Sequence, residues 1–273
     1  RPKDGVTPLF VAARHGHFNT IKLLLGAKAK VDQALVGSNR SPAFTAVRHN
    51  HISALTLLIR SKADVNRVAT DDGGSTTAIC FAAQNGHKDI IRALIAAKAN
   101  VNYRGSNNVT PVFLAAQKGH FAALQLLVKA RGAVNVALAD SGVTPLHAAI
   151  DRCSLDVVQF LVDAKADVDA RRMEFGVTPT YVAVQRECPA AVKILTEAKA
   201  NVNLHRTGPD MTPIMLAAKL GAAVAVKYLL RAKADVEVCC GKGRHHPYQL
   251  VSGSRNRGRR ACAKILLAAK AIP

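Results

Sequence analysis

One phrase recurs eight times along this chain, anchored at Thr7, Ser41, Thr77, Thr110, Thr144, Thr178, Thr212 and, in degraded form, near His246. Successive anchors stand 34, 36, 33, 34, 34, 34 and 34 residues apart, so the 273 residues read as a tandem array. A unit of this size is too small to bury its own apolar face. Stability must come from stacking on neighbours, and function is to be sought on surfaces that run across several units.

The clearest unit, DGVTPLFVAARHGHFNTIKLLLGAKAKVD at residues 4–32, spells helix, tight turn, helix and extended loop. Thr7 is placed to cap a helix whose first residue is Pro8, where a missing N–H costs nothing, and Gly16 ends that short helix. A second helix follows through Ile21, Leu24 and Leu25. The same slots return as Thr110, Pro111, Ala115, Ala116, Gly119 and His120, and again as Thr212, Pro213, Ala217, Ala218 and Gly221. Paired alanines let the two helices approach closely, and the Leu-rich run fills the layer between units. Leu24→Ala or Leu127→Ala is expected to remove about 2–5 kcal/mol locally.

This pattern resembles the ankyrin repeat, whose signature is T-P-L-H-x-A-A-x-x-G-H, a Leu-rich helix and G-A-D-V-N. The resemblance covers nearly the whole chain. It implies a fold class of all-α repeat solenoid with short β-hairpin loops, forming a single domain over residues 1–273. Seven clear repeats are followed by a degenerate one at 238–273. The implied hairpins fall at residues 65–75, 101–109 and 202–211, with turn chemistry at Asp72-Gly73, Ser141-Gly142 and Pro209-Asp210. In related repeats the hairpin Asn is sometimes hydroxylated, and Asn66, Asn102, Asn135 and Asn203 occupy that slot.

Two departures from the pattern stand out. The His of T-P-L-H is replaced by Phe10, Phe44, Cys80, Phe113, Tyr181 and Met215, which leaves only His147 to make a polar brace there. The Gly after the outer helix becomes Lys28, Lys62, Lys98, Arg131, Lys165, Lys199, Lys233 and Lys270. At that slot the chain normally turns left-handed, which costs a residue with a Cβ roughly 1 kcal/mol more than glycine. A cation at a helix C-terminus recovers about 0.3–1 kcal/mol from the helix dipole, so the terms nearly cancel. A solvated capping habit and an anion-contacting stripe both account for the ladder.

Charge narrows the choice of partner. With 38 Lys+Arg against 18 Asp+Glu, the formal charge is +20 and the pI near 10.2. In ankyrin arrays the two variable positions before the inner-helix glycine line the concave groove. Here those positions supply Arg14, Arg48, Lys118, Arg152, Arg186 and Lys219 against one carboxylate, Asp151. Arg104, Arg171, Arg172, Arg206, Lys242 and Arg244 stand near the hairpin tips. Such a groove repels basic partners and steers acidic ones, more weakly as salt rises. A purely solubilising role for these charges is the plainer alternative.

The last unit holds HPYQLV at residues 246–251 and then GSRNRGRR at 253–260, read as a lengthened, flexible turn carrying Arg255, Arg257, Arg259 and Arg260 ahead of a helix over 261–271. That run suits phosphate contacts without base reading, and equally a polar loop of a capping repeat. Cys239-Cys240 with His245-His246 has poor metal spacing, because adjacent cysteines make an awkward pair of tetrahedral ligands. Cys80, Cys153, Cys188 and Cys262 are scattered, no disulfide framework is visible, and a reducing compartment is the simplest reading. His17, His51, His87 and His120 fall on the turn-bracing slot, while His15 and His49 lie with the groove cations and add charge below about pH 6.5.

No nucleophile with its base, phosphate-cradling glycine loop or carboxylate pair is legible, so neither catalysis nor a cofactor or metal is expected. Lys or Arg interrupts every Leu-rich stretch, and no transmembrane span is expected. The chain opens at Arg1, almost directly on a repeat, with an apolar face expected on its first inner helix. It is therefore read as a monomer or a piece of a longer polypeptide, intracellular in cytoplasm or nucleus. The function expected is protein–protein interaction as a scaffold, with an acidic protein segment as partner. The alternatives are polyanion binding, to nucleic acid or an anionic membrane surface, through the Lys/Arg ladder and the Arg255–Arg260 run, or service as the targeting arm of a larger enzyme or channel.

Overall fold

The structure is a computed structural model that describes residues 4–71, 74–208, 211–237 and 246–270, with only the backbone at 270. The chain divides into two compact units, Arg1–Val136 and Ala137–Pro273. Each is built from pairs of antiparallel helices, a short inner one of seven or eight residues followed by an outer one of nine. The first unit holds α1 (Pro8–Arg14) with α2 (Phe18–Gly26), α3 (Pro42–Arg48) with α4 (Ile52–Arg60), α5 (Ala78–Asn85) with α6 (Lys88–Ala96), and α7 (Pro111–Lys118) with α8 (Phe121–Lys129). The second holds α9 (Pro145–Asp151) with α10 (Leu155–Asp163), α11 (Pro179–Gln185) with α12 (Pro189–Glu197), α13 (Pro213–Leu220) with α14 (Ala223–Arg231), and α15 (Arg257–Lys270).

Most anchors cap their inner helices as the sequence requires, but the Thr212 side chain makes no capping bond. The side chains of Thr7, Ser41, Thr110 and Thr178 accept hydrogen bonds from the amides of Phe10, Phe44, Phe113 and Tyr181, and a proline occupies the first turn of each of these helices. Thr77 differs, donating its hydroxyl to Cys80 Sγ instead. Within each unit inner helices pack on inner helices and outer on outer, while α15 packs on both α13 and α14. The outer helices bury residues spaced to face one side, such as Ile90, Ile91 and Leu94, or Ala123, Leu124 and Leu127.

Leu24 is only half-buried, unlike its counterpart Leu127, because it lines an open cavity of about 340 Å³ beside Val6, Pro8 and Leu9. The apolar face expected on α1 is smaller than anticipated. Leu9, Phe10, Ala12 and Ala13 are buried, and exposure is confined to Val11 there and to Phe18 and Leu23 on α2.

The loops depart from the expected hairpins. Among the described residues only the first contains a two-stranded sheet, β1 (Ala69–Asp71) antiparallel to β2 (Gly74–Thr76), whose tip at Asp72-Gly73 lies outside them. Residues 101–109 close instead through a 3₁₀ turn at Ser106–Asn108. In 202–211 a single bridge joins Arg206 to Met211, and Pro209-Asp210 lies outside the described residues. Two asparagines in succession, Asn107 and Asn108, both at positive φ, favour a coiled turn over extended pairing.

The terminal unit also corrects the sequence reading. Residues 257–260 are the first turn of α15 and not part of a flexible run, and residues 247–253 form turns in place of an inner helix. Lys270 lies within the helix, so it does not take the left-handed turn of the other ladder residues.

Candidate interaction surface

The six groove positions all fall at the C-terminal ends of inner helices. Arg14, Arg48 and Lys118 are the last residues of α1, α3 and α7 in the first unit, Arg152 and Arg186 cap α9 and α11, and Lys219 sits in the last turn of α13. A cation there is favoured by the helix dipole, so these positions accept charge on their own account. Arg14, Lys118, Arg152, Arg186 and Lys219 are exposed, and Arg48 is half-buried with its guanidinium 5.6 Å from the centre of the Phe81 ring.

The two units treat charge differently. In the second, Asp151 is clamped by two arginines, with Arg172 Nη2 donating to Oδ2 at 2.6 Å and Arg186 Nε donating to Oδ1 at 2.9 Å. Asp151, the one carboxylate among the positions expected to line a groove, is thereby neutralised, and Arg186 is partly committed. The sequence puts Arg172 near a hairpin tip, and the structure holds its guanidinium against Asp151 at the end of α9. The signal lay in Asp151 and Arg186 standing in neighbouring slots of successive repeats. Among the described residues Arg14, Lys118, Arg152 and Lys219 enter no ion pair.

In the first unit the histidines gather beside the cations. His15 stacks on His17 with centroids 5.7 Å apart, and His49 on His51 at 6.3 Å. Partial burial lowers the pKa of His49 from its ordinary value, and Arg14, His51, Arg48 and His15 lower it further by repulsion. It therefore gains charge at a lower pH than the sequence alone suggested. His51 and His120 brace the turns as expected, Nε2 meeting the carbonyls of Arg14 and Gln84 at 3.1 Å.

His147 is fully buried. Its Nδ1 accepts from the Thr144 amide at 3.3 Å, which leaves the proton on Nε2 to be donated to the Val177 carbonyl at 3.3 Å. Burial, reinforced by Arg172, pushes its pKa down to about 4, so it serves the fold as neutral imidazole.

Seven ladder residues, Lys28, Lys62, Lys98, Arg131, Lys165, Lys199 and Lys233, share φ between 60° and 65° and are exposed. The turn is thus kept without glycine. Loop asparagines help hold it: Asn66 donates to the Lys98 carbonyl and accepts from the Asn100 amide, and Asn102 does the same with Arg131 and Ala133. Asn203 Oδ1 likewise accepts from the Asp235 amide. These side chains, singled out above as modification slots, are engaged in holding successive repeats in register.

The C-terminal arginines are structural in part. Arg259 Nε donates to the Lys219 carbonyl at 2.8 Å, the bond that His51 and His120 make in the first unit, and Arg260 Nε donates to the Ser254 carbonyl at 3.1 Å. Lys242 and Arg244, and Cys239, Cys240 and His245 of the Cys/His cluster, lie outside the described residues. Among the described residues no group of His, Cys, Asp and Glu is arranged to hold a metal ion, and no helix is long and apolar enough to cross a membrane. One thiol reading is overturned: Cys153 and Cys188 form a disulfide across a Cα–Cα distance of 6.0 Å, while Cys80 and Cys262 are free and buried.

The helix-pair repeat, its left-handed turns and its capped inner helices define a class of stacked-repeat binding proteins. The chain belongs to the ankyrin-repeat family: it matches the family profile "Ankyrin repeats (3 copies)" over residues 1–69, 67–137 and 131–206, and that of the single ankyrin repeat over 210–240. Ankyrin repeats generally mediate protein–protein interaction. Among solved structures it is similar to the ankyrin repeat domain of Bcl-3, a member of the IkappaB protein family, with a TM-score of 0.72 and 23% identity over 84% of this chain and 100% of that one. No curated protein matches the sequence.

Proposed function

We propose that this protein is a non-enzymatic scaffold, its 273 residues working as one domain, that captures an acidic protein segment on the cationic ends of its inner helices. The observation that carries this reading is the asymmetry of charge at those helix ends within each unit. Arg14, Lys118, Arg152 and Lys219 are exposed and outside any ion pair among the described residues, while Asp151 is neutralised from within by Arg172 and Arg186. Helix dipoles and neighbouring cations add to a positive potential that steers carboxylates. A cytoplasmic or nuclear location belongs to the same reading.

A synthetic Glu-rich peptide is the direct probe. Charge reversal in Arg14→Glu/Lys118→Glu and in Arg152→Glu/Lys219→Glu is expected to weaken its binding about tenfold each at low salt. Unchanged affinity in both variants rules these helix ends out.

A second reading, polyanion binding, draws support from the ladder, in which seven exposed cations share one backbone conformation. It predicts that a nucleic-acid duplex binds with a steep linear dependence of log affinity on log salt. It also predicts that Lys62→Glu/Lys98→Glu weakens the duplex and leaves the peptide untouched.

A further inference from the structure

The disulfide occupies a position where other repeats carry a noncovalent brace. The slot that ends each inner turn is left-handed throughout, held by Gly16, Asn50, Gly86, Gly119, Cys153, Glu187 and Gly221 at φ between 51° and 79°. Opposite it stands the turn residue of the next repeat. A Cβ built on Gly16 would lie 2.6 Å from Nδ1 of His51, and one on Gly86 would lie 2.7 Å from Nδ1 of His120. Glycine and imidazole are therefore complementary at these two turns. In the second unit both partners change together. Cys153 replaces the glycine, and Cys188, at the start of α12, replaces the histidine.

The pair is suited to reversible chemistry. The Cα atoms, 6.0 Å apart, lie within the range that a disulfide bridges. Cys153 is exposed, whereas Cys188 is 2% exposed. A thiol from solution therefore meets the Cys153 sulfur first, and Cys188 is the leaving group. Cys188 caps the nine-residue α12, whose positive end stabilises a departing thiolate.

We propose that Cys153 and Cys188 form a reversible thiol–disulfide latch between successive repeats, a covalent form of the glycine–histidine brace that takes low-molecular-weight thiols and disulfides as co-substrates. In the oxidising direction the Cys153 thiolate attacks a disulfide RSSR, giving a mixed disulfide and RS⁻. The Cys188 thiolate then attacks the Cys153 sulfur, forming the internal bond and releasing a second RS⁻. Two electrons and two protons pass from the protein to RSSR, which leaves as two RSH. Reduction runs the same steps backward. Because Cys153 follows Arg152 directly and Cys188 lies two residues beyond Arg186, the latch fixes the two turns that carry these cations.

The test uses the full chain with Cys239→Ser/Cys240→Ser, equilibrated in oxidised or reduced glutathione, then alkylated and mapped by mass spectrometry. Cys153 and Cys188 are expected to lose alkylation together in the oxidised buffer. The apparent Tm is expected to fall by about 10 °C on reduction. Cys153→Gly/Cys188→His, which restores the brace of the first unit, is expected to fold and to melt at the same temperature in both buffers. If that variant does not fold, Cys153→Ser/Cys188→Ser supplies the same comparison. Full alkylation of both residues in the oxidised buffer, a stable glutathione adduct on Cys153 beside a free Cys188, or an equal Tm in the two buffers would overturn the latch. So would a redox-dependent Tm that survives in the thiol-free pair.

Discussion

In the first unit an imidazole reaches back to a carbonyl of the preceding repeat, as His51 does to Arg14 and His120 to Gln84. In the second, the corresponding place is taken at one step by the Cys153–Cys188 disulfide and at another by Arg259 donating to Lys219. At these four inner turns the array keeps a crossing contact, while the residue that makes it varies. The units differ in charge as well. The first leaves Arg14 and Lys118 exposed, whereas the second spends Arg172 and Arg186 on Asp151. A repeat proteins' fold depends on nearest-neighbour interfaces, so each exchange changes local stability and local function separately.

The largest expected effect separates an interior layer from an end layer. Leu127 is completely buried in α8, and Leu127→Ala leaves a cavity that costs about 2–5 kcal/mol. Leu24 already borders open space, and Leu24→Ala is expected to cost about 1 kcal/mol, since less apolar area returns to water. Denaturant melts of the two variants make the comparison. Equal losses would mean that the layers are equally packed.

Acid comes next, and it acts on the second unit through His147. Its pKa in the fold is about 4, below the roughly 6.5 of an unfolded chain, so the native state favours the neutral ring. The stabilisation is complete above pH 6.5 and is lost as pH falls from there towards 4. Over that window it amounts to about 3 kcal/mol. His147→Phe, the residue type of Phe10, Phe44 and Phe113 in this slot, is expected to flatten the pH dependence of stability over that window. An unaltered acid profile in urea melts would place the sensitivity elsewhere.

The backbone plan was legible because it depends on period and on residues with one strong local preference. Thr7 and Pro8 declare a helix start, and the shared step of about 34 residues declares the stack. The ladder's left-handed turn was legible from its place after the outer helix, even with lysine in it. The loops were not, because 101–109 and 202–211 carry turn residues compatible with several closures, and tertiary contacts choose among them. Side-chain pairing was hidden for a different reason. Cys153 and Cys188, like Asp151 and Arg186, stand 35 residues apart, which is one repeat and one position. Reading each slot against the next repeat's neighbouring slot reveals them, whereas reading each repeat alone makes them look scattered.

The smallest effect isolates that hidden charge pairing. Asp151→Asn removes the negative charge shared by Arg172 and Arg186 and turns one of its two acceptor oxygens into a donor, while preserving size. Arg172, the less exposed of the two arginines at 21% against 54%, loses an ionic partner it cannot easily replace with water. Stability is expected to fall by about 1 kcal/mol, as for partly exposed pairs. Arg186 is released at the same time and the ends of α9 and α11 gain one positive charge, so a Glu-rich peptide should bind about two- to threefold more tightly at low salt. Opposite signs for folding and binding distinguish a carboxylate that restrains the surface from one that only props the helix end. A variant that loses both stability and peptide affinity would show that Asp151 positions Arg186 for the partner, and the available cations of the second unit would then include the clamp itself.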